Sequence, residues 1–203
     1  MNLPNWLNPI ADVLTKPTQF FQYQSADLIT AKQSAVLLLF SDENSTPNLT
    51  FIKRSQFLKH HPGQIAFPGG LIEPTDPDLV ATALREAQEE IGLNPDSVLP
   101  IGALPQISIE VTGFAVTPII SYWQQPHPVS PVATDEVAEV FAVPIEKFIS
   151  SSSKVWAVKQ NYKGPAFLID EKLIWGFTAT VLAELFTSAG LISSFEADSE
   201  IEV

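Results

Sequence analysis

Between Asp76 and Gly92 the sequence marks both ends of one helix and gives that helix two chemically opposed faces. Pro77 suits the first helical position, and Asp76 suits the N-cap because a residue preceding proline avoids helical angles. Gly92 suits the place just past the end, with Pro95 preventing continuation. The result is a helix of roughly four turns. At about 100° per residue, Val80, Ala83, Leu84, Ala87 and Ile91 fall on one stripe, the face that packs on a core. Glu86, Glu89 and Glu90 fall on a separate arc at i, i+3 and i+4, where like charges repel. Taken alone, such an arc is most simply a solvated acidic face.

The neighbouring residues shift that reading. Gly69-Gly70 precedes the helix, a backbone able to take unusual angles and approach other groups closely. Backbone carbonyls beside clustered carboxylates make a hard-oxygen environment, suited to Mg²⁺ or Mn²⁺ rather than zinc. Arg85 sits within the acidic group, where it can hold a carboxylate in a bidentate pair. The chain has only two arginines, Arg54 and Arg85, and both lie in this region.

Around this helix the pattern is mostly short strands. Ala35–Phe40 reads as a buried strand, Asp42–Pro47 as a turn, and Leu49–Arg54 as the returning arm of a hairpin. Val98–Leu104 and Phe114–Tyr122 follow; Pro118 in the latter predicts an edge, a bulge or a strand end. Gln124–Thr134 and Ser150–Ser153 read as loops. Val140–Val143, Trp156–Val158, Ala166–Ile169 and Lys172–Trp175 read as strands, and Phe177–Ala189 as a helix. Residues 3–16 suit a short amphipathic helix ended near Lys16-Pro17. The expected organisation is an arm over residues 1–32 packing on a domain of residues 33–190, then an acidic tail, 191–203, without order. The fold class is α+β or α/β.

At 203 residues one sizeable domain is expected. Acids outnumber bases 23 to 11, for a net charge of −12. That field disfavours nucleic acid and anionic membrane as partners, and an anionic substrate would need a cation to mediate its approach. The absence of cysteine excludes disulfides, thiolate catalysis and cysteine-ligated zinc. No targeting or membrane-spanning pattern stands out, so a cytoplasmic protein, monomeric or homodimeric, is the expectation.

Arg85-Glu86-Ala87-Gln88-Glu89-Glu90-Ile91-Gly92-Leu93 matches in full the second half of the Nudix hydrolase box, and the chain resembles that family here. The first half departs from the general pattern: the loop acid is Asp76, and Gly70 lies one residue further from Arg85 than usual. Asp76 can therefore pair with Arg85 or cap the helix. Both departures resemble the coenzyme A diphosphatase branch. So do Arg54-Ser55, Lys59, Gly63 and Phe67-Pro68-Gly69-Gly70, together with Val111-Thr112-Gly113, Val116-Thr117-Pro118 and Ile174–Ala179. The resemblance spans roughly residues 33–190.

It implies an α/β/α sandwich with a mixed sheet and hydrolysis of a diphosphate linkage with Mg²⁺ or Mn²⁺. For this branch the substrate is coenzyme A or an acyl-CoA, cut to 3′,5′-ADP and 4′-phosphopantetheine. The catalytic set is Glu86, Glu89, Glu90 and Arg85; the expected metal ligands are Glu86, Glu89, Glu90 and the Gly70 carbonyl. Arg54, Lys59 and Gly69 would meet the substrate, with His60 and His61 beside them. The proton of the attacking water goes to one of the helix glutamates or to Glu110, Glu136 or Glu139. Trp123, Trp156 and Trp175 serve packing or stack a base, and His127 is expected to be inert. Rival substrates are ADP-ribose, dinucleotides and nucleoside triphosphates, and a catalytically silent nucleotide-binding module is the reading from another class.

Overall fold

A computed structural model describes residues 3–15, 31–43, 45–109, 113–160 and 162–203. The central strand β1 (Lys32–Glu43) is apolar on both faces because both are covered. Ala35, Leu37 and Leu39 face one layer, and Leu38 and Phe40 face the other. β1 pairs antiparallel with β2 (Thr46–Arg54), setting Phe40 against Leu49 and continuing to Glu43 against Thr46. The expected hairpin forms, with a tighter turn than Asp42–Pro47.

β3 (Ile65–Ala66) pairs antiparallel with β2, and β4 (Gly69–Leu71) pairs with β1 so that Gly70 lies opposite Ala35. Helix α2 (Leu79–Ile91) then lies across the face formed by Ala35, Leu37, Leu39 and Ile52, seating Ala83, Ala87 and Ile91. β5 (Val98–Ala103) and β6 (Ile107–Ile109) both pair with β7 (Phe114–Trp123), which runs parallel to β1. β8 (Val137–Pro144) closes on β2. On the opposite face, the 3₁₀ turn Asn5–Leu7, α1 (Asn8–Val13), α3 (Ile145–Ile149) and α4 (Phe177–Ser188) bring Leu7, Ile10, Phe148, Leu182 and Phe186 against Leu38, Phe40 and Phe51. This is the expected α/β/α sandwich with a mixed sheet. No helix among the described residues is long and apolar enough to cross a membrane.

Four local expectations are corrected. The helix begins two residues later than predicted: Asp78 Oδ1 accepts the Ala81 N–H at 2.8 Å and is the N-cap. Gly92 ends it as expected, with φ 72°. Pro118 sits in the middle of β7, opposite Val36, rather than at an edge. Its carbonyl accepts the Leu104 N–H at 2.9 Å. A residue's N–H and C=O point to the same side of a strand, so the missing donor faces the break between β5 and β6. Ser151–Ser153, expected as loop, forms a single 3₁₀ turn.

The fourth correction concerns the tail. β9 (Lys154–Lys159), β10 (Tyr162–Ile169) and β11 (Lys172–Ile174) form a second sheet, and Glu200–Glu202 joins it as β12, parallel to β9. Phe195 packs on Trp156 and Phe167, with ring centroids 5.2 and 5.3 Å apart. Ile201 and Val203 cover Val155, Ala157 and Ala166, while Glu200 meets Lys163 at 2.6 Å. Charge content suggested disorder, but the apolar residues alternating with those charges find a sheet edge to cover.

Ser121, on β7, is fully buried, and its hydroxyl has no hydrogen-bond partner among the described residues. An unsatisfied buried hydroxyl costs stability, so Ser121→Ala should leave the protein equally stable or up to about 1 kcal/mol more stable. Urea denaturation measures this; a loss above about 1 kcal/mol would contradict it.

Candidate active site

The carboxylate arc of α2 is organised by Arg85. Its Nε donates to Asp76 Oδ1 at 3.0 Å, and one terminal nitrogen donates to Asp76 Oδ2 at 3.1 Å, Glu86 Oε1 at 3.1 Å and the Leu71 carbonyl at 2.9 Å. The other terminal nitrogen holds Glu89 Oε2 at 3.0 Å. Asp76 therefore pairs with Arg85 and does not cap the helix. It also accepts the Glu73 N–H at 2.9 Å and the Thr82 hydroxyl at 3.0 Å, closing the glycine loop onto the helix. Hydrogen bonding to Arg85, then to the Glu73 N–H, holds its carboxyl down at about 2. The Arg85 guanidinium is held more firmly protonated by the same pair.

The three glutamates have unequal surroundings. Glu90 is 3% exposed, and its Oε2 accepts the Gly69 N–H at 3.0 Å. Burial pushes its carboxyl up to about 8, against the lowering by that N–H; Glu86 and Glu136 raise it further and Arg54 lowers it. Glu86 is half-buried and also raised by burial, with Arg85 opposing. Its carboxylate lies over Gly70, where an added Cβ would meet Oε1 at 2.3 Å. Glu89, 58% exposed on its side chain, is turned towards Arg85.

The upstream segment borders this arc. Arg54 ends β2, and its Nε is buried without a hydrogen-bond partner among the described residues. β8 pairs Val137 with Arg54, and the Glu136 carbonyl accepts the Ser55 N–H at 2.7 Å. That pairing brings Glu136 to the site, where its charge acts on both Glu86 and Glu90. Glu139 is turned elsewhere, held through both oxygens by Lys172 at 2.8 Å. Glu110, with Val111 and Thr112, lies outside the described residues. Lys59, His60 and His61 stand exposed on the loop between β2 and β3.

The tryptophans serve packing: Trp123 is buried and bonded to Ser97, Trp156 packs on Phe195, and Trp175 packs on Tyr162. His127 braces the loop, accepting the Asn94 N–H at 3.1 Å with its ring against Trp123. The bracing by Thr82 and the Leu71 carbonyl was not anticipated from sequence, because neither residue type advertises such a contact.

Among the described residues, no three acidic or imidazole groups converge as a ready-made cation cage. The donor set nonetheless suits a hard divalent ion. Glu90 is buried and Glu86 half-buried, the charge of Glu136 acts on both, and Arg54 is the cation that offsets Glu90. Glu89 could join only by leaving Arg85. Oxygen-only ligation of this kind fits Mg²⁺ or Mn²⁺.

Compared with known families, residues 31–163 match the NUDIX domain. A relative from Enterobacter sp. (strain 638), named "Uncharacterized Nudix hydrolase NudL", is 34% identical over 181 residues, covering 82% of this chain and 88% of its own length. The relative of the same name from Citrobacter koseri is 33% identical over 171 residues, again covering 82% and 88%. A solved NUDIX hydrolase from Nitrosomonas europaea shares the fold, with a TM-score of 0.54 at 14% identity over 86% of this chain and 80% of that one.

Proposed function

Because the chain belongs to the Nudix family and is a hydrolase acting on diphosphate linkages, we propose that it cleaves coenzyme A or an acyl-CoA to 3′,5′-ADP and 4′-phosphopantetheine. The observation that carries this choice is Arg54: its Nε has no hydrogen-bond partner among the described residues, its charge acts on Glu90, and it heads the segment resembling coenzyme A diphosphatases. An arginine fork recognises phosphate oxygens in pairs.

Glu86, Glu89, Glu90 and the Gly70 carbonyl would hold Mg²⁺ or Mn²⁺. Such an ion neutralises diphosphate oxygens and lowers the pKa of water. Arg85 keeps Glu86 oriented and would release Glu89 to the ion, while the clamp to Asp76 holds Arg85 in place. Arg54 and Lys59 hold substrate phosphates, and Gly69 lets the backbone approach them. Water attacks one phosphorus, the bridging P–O bond breaks, and the water's proton passes to a carboxylate. Glu136 is the distant acid best supported for that role, since Glu139 is committed to Lys172. The setting proposed is the cytoplasm, as a monomer or homodimer.

The test is to incubate the protein with coenzyme A, dephospho-coenzyme A, ADP-ribose and NADH, with Mg²⁺ or Mn²⁺, and to separate the products. Coenzyme A should be the preferred substrate and give the two named products. Arg54→Ala should lose about tenfold or more in kcat/KM on coenzyme A, and less on dephospho-coenzyme A, as expected for a charged hydrogen bond to the 3′-phosphate. Preference for ADP-ribose, or equal losses on the two coenzyme A forms, would overturn the substrate or the phosphate role respectively.

A further inference from the structure

The loop between β2 and β3 carries Phe57, which is 97% exposed. This loop is well tied rather than loose. Ser55 anchors it, its carbonyl accepting the N–H groups of Leu58 at 3.5 Å and Gly63 at 3.4 Å, and its hydroxyl the Phe57 N–H at 3.3 Å. Gly63 takes φ 68°, with the Gln56 amide folded over it, and Gln64 closes back on Arg54 at 2.9 Å. Within this frame Leu58 is partly buried while the larger Phe57 points outward. Displaying a whole phenyl ring to water forfeits the gain that burial would bring.

We propose that Phe57 is a stacking platform for the nucleobase of the diphosphate substrate, a specificity residue beyond the phosphate-binding set. The proposal rests on the hydrolase reading above. Ser55, at the root of the loop, is bonded to Glu136, whose charge reaches Glu86 and Glu90. Phe57 lies two residues on, so its Cα is within about 7 Å of the Ser55 Cα. The ring is therefore carried by the loop that springs directly from Arg54, the phosphate-binding residue proposed above. Lys59, exposed two residues further, adds positive charge for a ligand that is anionic as well as aromatic. An exposed aromatic beside basic residues also suits an anionic membrane surface, but the net charge of −12 opposes that partner. A π-face accepts any base, so the residue would set affinity for nucleotides as a class.

The test compares 5′-AMP with ribose 5-phosphate, which keeps the sugar and phosphate but lacks the base, as inhibitors of diphosphate hydrolysis. Phe57→Ala should weaken inhibition by AMP about tenfold and leave ribose 5-phosphate unchanged, while Phe57→Trp restores AMP. With the preferred substrate, KM should rise and kcat should hold. Equal effects on the two inhibitors, or none, would overturn the proposal. So would loss of sedimentation with phosphatidylglycerol vesicles in Phe57→Ala while AMP inhibition persists. Should the wild-type protein hydrolyse no diphosphate, the hydrolase reading fails by itself. Calorimetric titration with the same two compounds then decides the platform by the same criteria.

Discussion

Replacing Glu90 by Gln should lower turnover by on the order of a thousandfold at saturating Mg²⁺, while the protein remains folded. Loss of several kcal/mol of transition-state stabilisation corresponds to that factor. The fold should tolerate the change because the amide oxygen can still accept the Gly69 N–H that Glu90 now accepts at 3.0 Å. Circular dichroism and gel filtration check the fold, calorimetry with Mn²⁺ checks binding, and steady-state assays check the rate. Wild-type turnover in this variant would remove Glu90 from the reaction.

The same residue has a pH signature in protein stripped of divalent ions. Burial raises its carboxyl from 4.5 to about 8. The folded protein then retains a proton that the unfolded chain releases between those values, so stability must fall as pH rises through that window. Urea midpoints of chelated wild-type protein should decline from about pH 5 to about pH 8, and the Gln variant should decline less. Adding Mg²⁺ should offset the decline, because a cation favours the deprotonated form. Parallel profiles for the two proteins would show that Glu90 is not the titrating group.

Gly69 and Gly70 should fail in different ways when each is changed to Ala. At Gly69 the backbone sits at φ 155°, and a Cβ would meet the Ala35 carbonyl oxygen at 2.3 Å and the Val36 Cα at 2.6 Å. Backbone in the middle of a sheet cannot move aside. Overpacking and a strained backbone each cost about 1–3 kcal/mol, so Gly69→Ala should lose about 3–5 kcal/mol or fail to fold. At Gly70 the nearest atoms belong to the Glu86 carboxylate, the end of a flexible side chain. Gly70→Ala should therefore fold with a loss of about 1 kcal/mol or less, yet lose roughly 10- to 100-fold in activity as Glu86 is pushed aside. Thermal melts and kcat separate the two outcomes. Wild-type activity in Gly70→Ala would mean that the position of Glu86 over that glycine is irrelevant to turnover.

Local rules made much of this protein legible in its sequence. Helical periodicity separated Ala83, Ala87 and Ile91 from Glu86, Glu89 and Glu90, and the structure keeps both faces. Gly92 marked the helix end through its left-handed backbone. The hairpin of β1 and β2 followed from two apolar runs separated by turn residues. Each of these depends on contacts within a few residues of chain, so no distant partner need be known.

Other features depended on partners far along the chain. Asp76 suited either a helix start or a pair with Arg85, and only the reach of Arg85, nine residues away, assigned it to the clamp and left the cap to Asp78. Glu136 and Glu139 were equivalent candidates until β8 registered against β2, leaving the charge of one to act on Glu86 and Glu90 and giving the other to Lys172. The tail read as disordered until a free edge of β9 took it up. Sequence by itself determined the helix and its two faces, because those follow from backbone period and side-chain type. Only tertiary structure decided which acids stand together, because sheet register and ion-pair geometry join residues whose separation leaves no local trace.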